Sequence, residues 1–599
     1  VTASPGTPGA GARAEGGSRL PYLPAVDGLR AVAVAAVVVF HLGAAWLGGG
    51  FLGVDVFLVI SGYLITSLLL AEHETRGRID LVRFWLRRAR RLLPALFLVM
   101  AVSLAAMVVL HPDEVARLRG AVLASLAYVT NWYFVFADVP YFEQFGRPSL
   151  LLHLWSLAVE EQFYLVWPPL LAIGLALVGR RVVLALAIAG TAGSAALAWW
   201  LFAPFTGTDR IYYGTDTRAV GLLAGVVLAL VLPAARLAPV SPARRRATDA
   251  LGLAAAAALA VILVRLDETG ARLYQGGFLV TAVVTAVLIH AAAQPGTWTG
   301  RALGTRPLVW VGRRSYGIYL WHWPVIQLTR PEDVAIDGAP RVALQVALTV
   351  VAAALSYRFV EAPFRRHGLR GLREALGRGR GATGPALRRT VAAGAVAAVV
   401  ALAVAVAVAP TRQAGLPGIE EAAARDVARP GGPDAEPPAP PARPVLFVGD
   451  SVMLGAAPAL RRTFGAHQVV DAAVGRRFPQ GVEIVLGHLR TLPGDTAVVV
   501  HLGNNYYVRP EDLEGLVRRL PAGHPLYLVT VRAPLPWQDS VNAILRAAPA
   551  RHPGVTVIDW HAASGEPGLL VDGAHTNARG ARLYARLIVD ALRAPSPTT

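Results

Sequence analysis

Cysteine is missing from the sequence. Without thiols the chain can form neither disulfides nor thiolate metal sites, and an oxidising compartment poses it no redox problem. Lysine is missing too, so all 57 strongly basic side chains are arginine. Charge is scarce: 16% of residues are acidic or basic, against about 25% in soluble globular proteins. A mean hydropathy of +0.48 points to a membrane protein. The first apolar segment has neither the short core nor the cleavage site of a secretory signal, so it is expected to stay as a transmembrane helix. Nucleic acid is disfavoured as a partner. The formal net charge is +18, but much of the arginine lies in short loops between apolar segments rather than on one soluble face.

What is present is a long series of apolar segments. A helix needs about 20 mostly apolar residues to cross a bilayer. The segments 27–47, 51–71, 92–110, 152–178, 182–204, 216–233, 250–266, 275–293, 315–330, 341–360 and 390–410 qualify, and 119–136 is a candidate twelfth. Arginine-rich stretches at 83–91, 179–181, 235–246, 304–314 and 364–380 should be cytoplasmic. They share one side only if 111–150 stays outside, so 119–136 is expected to be interfacial, re-entrant or packed without a full crossing. The result is a multi-pass α-helical domain of about eleven spans in the plasma membrane, with the N-terminus inside and the C-terminus outside.

The expected organisation is a disordered cytoplasmic tail (1–21), a membrane domain (22–370), a basic linker with the last span (371–410), a Pro-rich extracytoplasmic linker (411–444) and a soluble domain (445–599). In the last, VLFVGD (445–450), TAVVVHLG (496–503), PLYLVTV (525–531) and VTVIDW (555–560) read as short strands. Helical patterns at 454–463, 480–491, 511–520 and 576–593 separate or follow them, which predicts a parallel, three-layer α/β domain.

Ionisable groups within apolar spans are costly and so are functional candidates. Arg30, His41 and Asp55 occupy the first two spans. His41 is either a general base, which neutral imidazole can be near pH 7, or a structural partner of Asp55. Trp155, Ser156, Glu160 and Glu161 fall at the outer end of a span, where the glutamates either bind acceptor hydroxyls or pair with buried arginine. Asp216 and Arg218, beside Tyr212 and Tyr213, read most simply as a salt bridge. His322 between Trp321 and Trp323 has an equally simple account as part of an interfacial aromatic belt.

Arg30, ten residues, then His41, followed by GVDVFLVISGYLIT, resembles the start of the acyltransferase-3 family. FWLRRARRLLPALF (84–97), HLWSLAVEEQFYLVWP (153–168), YYGTDTRAVGLLAG (212–225), SYGIYLWHWPV (315–325) and FVEAPFRR (359–366) follow in the family's order, so the resemblance covers roughly 22–370. It implies a domain that takes an acyl group from cytoplasmic acyl-CoA and delivers it across the bilayer, with His41 as the essential base or acyl-handling residue and Arg30 in the same motif. Arg87, Arg88, Arg90 and Arg91 would suit the CoA phosphates through their bidentate forks. The positive-inside rule predicts the same cluster. Asp55, Glu160, Glu161, Tyr212, Asp216 and Arg218 are further candidates for the acyl path.

In the soluble domain, Gly449-Asp450-Ser451 follows a hydrophobic strand. A serine there exposes its hydroxyl at the sheet edge, where backbone N–H groups can stabilise an oxyanion. Asp572 and His575, separated by two residues, can supply an orienting acid and a general base. These blocks resemble the SGNH (GDSL-like) hydrolase family. The resemblance implies Gly475 and Asn505 as oxyanion partners of the Ser451 N–H. One block departs: Gly503-Asn504-Asn505-Tyr506 stands where Gly-x-Asn-Asp is usual, so Tyr506 replaces an acid.

The two domains together resemble bacterial peptidoglycan and polysaccharide O-acetyltransferases. That resemblance implies an acyl group, acetyl, moved from acyl-CoA to a glycan hydroxyl outside the cell through a Ser451 acyl-enzyme, without a metal. Rival readings are a carbohydrate esterase with the same triad, a transporter lined by Glu160, Glu161 and Asp216, and a sensor or anchor with an inert triad.

Overall fold

The computed structural model describes residues 21–594 except 366–439 and the short stretches 138, 140, 142–147, 203–207, 267, 269, 332, 466–467, 474, 534, 536 and 572. The described chain divides into two compact units. One combines residues 1–99, 156–199 and 215–389, and the other combines 100–155, 200–214 and 390–599.

The N-terminal half is helical: α1 (Pro24–His41), α2 (Gly53–Arg76), α3 (Leu81–Leu110), α4 (Leu118–Leu126), α5 (Thr130–Phe136), α6 (Leu154–Leu177), α7 (Gly179–Leu201), α8 (Asp209–Tyr213), α9 (Thr215–Val231), α10 (Pro242–Arg265), α11 (Phe278–Ala293), α12 (Trp298–Leu303), α13 (Arg306–Leu328) and α14 (Gly338–Ser356). Every predicted span through 341–360 coincides with one of these helices, while 390–410 lies outside the described residues. Among the described residues, 8 helices are long and apolar enough to cross a membrane. The helices α6 and α13, which carry Glu160 and Glu161 and Arg306, Arg313 and Arg314, are not among them.

The stretch 119–136 holds only α4 and α5, joined at Tyr128 with φ 54°. Nine residues of helix rise about 14 Å, less than half of a bilayer core of about 30 Å, so neither piece spans it. Small residues set the closest helix contacts. A Cβ on Gly62 of α2 would sit 2.0 Å from the Leu222 carbonyl oxygen, and one on Gly225 of α9 would sit 2.1 Å from that of Val59. Between membrane helices such backbone approach replaces the missing hydrophobic drive.

The C-terminal quarter is an α/β domain. Its strands are β1 (Val445–Gly449), β2 (Gln468–Ala472), β3 (Ala497–His501), β4 (Leu526–Val529) and β5 (Val555–Ile558), all parallel in the order β2-β1-β3-β4-β5. Residues alternate between faces, so one run of apolar side chains feeds two cores. Leu446, Val448, Val498 and Val500 pack with α16 (Phe478–Leu489), α17 (Pro510–Arg519) and α18 (Gln538–Arg551). Val445, Phe447, Val499 and Val529 pack with α15 (Ser451–Phe464) and α20 (Ala578–Arg593), and the short α19 (Trp560–Ala563) adds Trp560. Two elements have weak sequence signals: β2, whose residues are all half-buried on the sheet edge, and α18, whose apolar face is thin.

Candidate active sites

Ser451 begins α15 immediately after β1, and β1 lies between β2 and β3. The crevice beyond β1 and β3 is where the strand order reverses, the usual ligand position in open α/β sheets. Asp450 caps α15 by accepting from the Val452 N–H at 3.1 Å. Ser451 is almost fully buried, and His575 Nε2 lies 2.9 Å from its hydroxyl oxygen. That distance suits proton transfer from a nucleophile to its base. Asp572 lies outside the described residues.

Asn505, four residues beyond the end of β3, is 4% exposed. Its side-chain N–H2 is buried and has no hydrogen-bond partner among the described residues. A buried donor without a partner is rare and costs about 1–3 kcal/mol, so it is a natural oxyanion donor. Gly475 is exposed in a turn at φ +73°, a left-handed conformation that favours glycine. The loop carrying Asn505 is pinned by the buried Trp537, whose indole N–H donates to the Gly503 carbonyl at 3.0 Å. Gly503 has φ +121°, and a Cβ there would press on Val541 at 2.8 Å.

A network that the motifs do not announce lies behind the serine. Asn504 donates to Asp450 through its backbone N–H at 3.3 Å and its side chain at 3.0 Å. The same side chain meets His501 Nε2 at 3.2 Å, and His501 Nδ1 meets the Tyr584 hydroxyl at 2.9 Å. Burial pushes the Asp450 carboxyl up to about 6, against hydrogen bonds from Asn504 and Val452 that favour its charge. Burial also holds His501 down, to about 3, which leaves it neutral. The first and third blocks are thus tied through Asp450 and Asn504. A histidine ending a strand two residues before Gly503 was the available sequence signal.

The membrane half holds a separate cavity of about 800 Å³, counting its open mouth. Arg30, Arg88, Arg91, Ser61, Glu160 and Tyr164 supply polar walls, and Leu58, Ile60, Leu64 and Leu92 supply apolar ones. Glu160 accepts hydrogen bonds from the hydroxyls of Ser61 and Tyr164, and the Arg88 guanidinium lies 5.1 Å from the Tyr164 ring centroid. The arginine cluster splits by helical spacing. Arg88 and Arg91, three apart, share the cavity face, whereas Arg87 and Arg90 are exposed and Arg87 pairs with Glu72 at 3.4 Å. Glu161 is not part of the cavity wall.

His41 is not paired with Asp55. Its Nδ1 lies 3.0 Å from His322 Nε2, and the rings stack at 5.1 Å. His322 is fully buried, so it is not an aromatic-belt residue at the interface. Its Nδ1 is 2.5 Å from the Tyr319 carbonyl oxygen, and the Tyr319 hydroxyl is 2.5 Å from the Ser156 hydroxyl on the cavity wall. A carbonyl only accepts, so His322 Nδ1 carries hydrogen. In neutral His322 the Nε2 is then an acceptor, and His41 Nδ1 must donate to it. With hydrogen on Nδ1, neutral His41 has its acceptor lone pair on Nε2.

Arg218 is not paired with Asp216 as the sequence suggested. It donates to Asp55 at 2.8 Å, with side chains 0% and 1% exposed, and lies 4.2 Å from the Phe278 ring centroid. Asp216 accepts instead from the neighbouring Thr217 N–H. Position 218 faces α2 because the Gly62–Gly225 contact brings α9 against it. Tyr212 lies in an aromatic cluster with Trp155 and Tyr141, at 4.7 and 4.6 Å, rather than in the cavity.

A family model described as an acyltransferase domain matches residues 23–360. The chain is 34% identical to the peptidoglycan O-acetyltransferase OatA of Listeria monocytogenes, over 95% of this chain and 98% of that protein. It is 35% identical to YrhL of Bacillus subtilis, over 96% of this chain and 98% of that protein. The C-terminal catalytic domain of Streptococcus pneumoniae peptidoglycan O-acetyltransferase A, solved with a methylsulfonyl adduct, is 28% identical. That match covers 25% of this chain and 93% of the solved one, with a TM-score of 0.23.

Proposed function

The chain belongs to the acyltransferase-3 family, and on that premise we propose that it O-acetylates peptidoglycan outside the cell, drawing the acetyl group from cytoplasmic acetyl-CoA. It is a membrane acyltransferase with a C-terminal α/β domain. The observation that carries the proposal is the 2.9 Å contact between His575 Nε2 and the Ser451 hydroxyl, in a chain whose other half is an acyltransferase domain. A lone hydrolase would have no use for that second half.

The cytoplasmic donor is supported by the cavity's composition. Arg30, Arg88 and Arg91 would meet the phosphates of the CoA moiety, and the apolar wall would take the pantetheine and acetyl groups. His41 Nε2 would accept the proton of the group that attacks the thioester, with His322 fixing its tautomer. The outward orientation of the α/β domain is supported by its clustering with 100–155 and 200–214, which contain connections that arginine topology puts outside.

Outside, the Ser451 hydroxyl gives its proton to His575 Nε2 and its oxygen attacks the acetyl carbonyl. The developing oxyanion is met by the Ser451 N–H at the start of α15 and by the Asn505 side chain. The group that took the acetyl from the thioester then leaves with the proton held by His575. A glycan hydroxyl then attacks the acetyl-serine, His575 takes its proton, and that proton returns to Ser451 as the ester departs.

Mass spectrometry of cell-wall glycan tests this directly. Ser451→Ala should remove glycan O-acetyl groups, a loss of at least about 10³-fold in transfer. His41→Ala should do the same if the sites act in series. Acetylation that persists in Ser451→Ala would overturn the acyl-enzyme, and persistence in His41→Ala would break the relay.

A further inference from the structure

Tyr506 stands in the third block where an acid is usual, and a carboxylate from a distant part of the chain meets it. Asp209 opens α8, in the connection between α7 and α9. Its Oδ2 accepts from the Tyr506 hydroxyl at 3.2 Å and from Arg477 at 3.3 Å. Its Oδ1 accepts from the Tyr141 backbone N–H at 3.0 Å. The Arg477 guanidinium also lies over the Tyr506 ring, 4.1 Å from the centroid. The pair is enclosed: the Arg477 and Asp209 side chains are 15% and 13% exposed. All these residues belong to one compact unit.

The placement is pointed. Arg477 follows Gly475 by two residues, and Tyr506 is the neighbour of Asn505, so both oxyanion blocks end on the same carboxylate. The α8 side is itself held firmly. Asn131 donates to the Tyr213 carbonyl at 3.0 Å, and Arg210 lies 5.0 Å from the Trp132 ring centroid. An aspartate at 506 would face Asp209 with like charge and compete for Arg477. Tyrosine instead offers a donor to the carboxylate and a ring to the guanidinium.

We infer that Asp209, Arg477 and Tyr506 form a latch that docks the α/β domain, by its oxyanion side, onto the α7–α9 connection, the position in which it receives acyl groups from the membrane half. Exposed ion pairs contribute little, but an enclosed pair with a stacked ring fixes partner and register. The inference rests on the proposed relay for its role, though not for its geometry.

The cysteine-free chain makes the geometry directly testable. The full chain carrying Asp209→Cys and Tyr506→Cys, in native membranes, should be linked internally by a short bis-maleimide, while neither single variant is. No link in the double variant would overturn the latch. Function is read in proteoliposomes with two substrates: a water-soluble aryl acetate, which reaches Ser451 directly, and acetyl-CoA with a glycan acceptor. Asp209→Arg should cut transfer from acetyl-CoA by about tenfold or more while aryl-ester hydrolysis stays within about twofold, and adding Arg477→Asp should restore most of the transfer. Both readouts unchanged, or both lost together without rescue, would overturn it. Should Ser451→Ala leave both readouts intact, the relay fails. The cross-link still decides the docking, because it does not depend on catalysis.

Discussion

His575 in the α/β domain bonds a serine hydroxyl, and His41 among the membrane helices bonds a second histidine. Both imidazoles are candidate bases, yet the means of orienting them differ. For His575 the resemblance implies a carboxylate, Asp572, a charged orienter that a water-exposed domain can solvate. For His41 the neighbour in the orienting position is a second histidine, His322, itself held by a backbone carbonyl. A lone carboxylate beside His41 would carry a desolvation cost of several kcal/mol in the bilayer, and a neutral relay fixes the tautomer without it. The ionised pair that the membrane half does bury, Asp55–Arg218, is matched charge for charge and lies outside the cavity. The charges that do line the cavity, Arg30, Arg88, Arg91 and Glu160, are separate from the His41–His322 contact.

Four sets of substitutions can break or sharpen that contrast. The largest effect is expected at the buried ion pair. Arg218→Met leaves Asp55 unpaired and should cost about 3–5 kcal/mol, seen as loss of folded protein in detergent. Asp55→Asn with Arg218→Met should recover much of it. If Arg218→Met folds normally and only slows turnover, the pair belongs to the site after all.

Next is the neutral orienter. His322→Ala should lower acyl transfer about 10²-fold with normal folding, and His322→Gln, which keeps one donor and one acceptor, should recover part of it. Equal activity in all three forms would remove His322 from the relay. A smaller effect separates the two faces of α3. Arg88→Gln with Arg91→Gln should raise KM for acetyl-CoA about tenfold, whereas Arg87→Gln with Arg90→Gln should change it by less than about twofold. The reverse order would return the whole cluster to membrane topology.

The mildest effect lies in the α/β domain's own buried pair. Asp450 has its pKa raised to about 6, so folding takes up a proton and its contribution to stability grows as pH falls below 6. His501 has its pKa lowered to about 3, so folding forgoes a proton and its contribution shrinks as pH falls below the ordinary histidine value. Between about pH 4 and 6 the two slopes cancel. In His501→Asn only the Asp450 slope remains. Relative to the native chain, the variant should then gain about 1.4 kcal/mol per pH unit on acidification, read by hydrogen exchange of the β1 and β3 amides. Parallel pH profiles would refute the assignment.

Much of the fold was legible, because bilayer thickness and strand alternation are written as hydrophobic periodicity. The helices from α1 to α14 that match apolar runs, and β1, β3, β4 and β5, needed no tertiary information. The edge strand β2 and helix α18 were hidden because neither is apolar enough along its length to stand out. Ser451 and His575 were legible from their block context, although only folding closes the 124 positions between them to 2.9 Å. Arg218, by contrast, was assigned to the wrong carboxylate. Sequence proximity favoured Asp216, but the glycine contact between α2 and α9 turns the guanidinium toward Asp55 instead.

The sequence by itself determined that this is a membrane protein with a parallel α/β domain and a GDS serine, because composition and periodicity act locally. It also marked Tyr506 as the place where an acid was gone. Only the tertiary structure decided which charges pair, which arginines face the cavity, that His41 leans on His322, and that Asp209 meets Tyr506. Each of those depends on groups far apart in the chain meeting where water is scarce. There an unpaired charge or donor costs so much that packing, not order along the chain, chooses its partner.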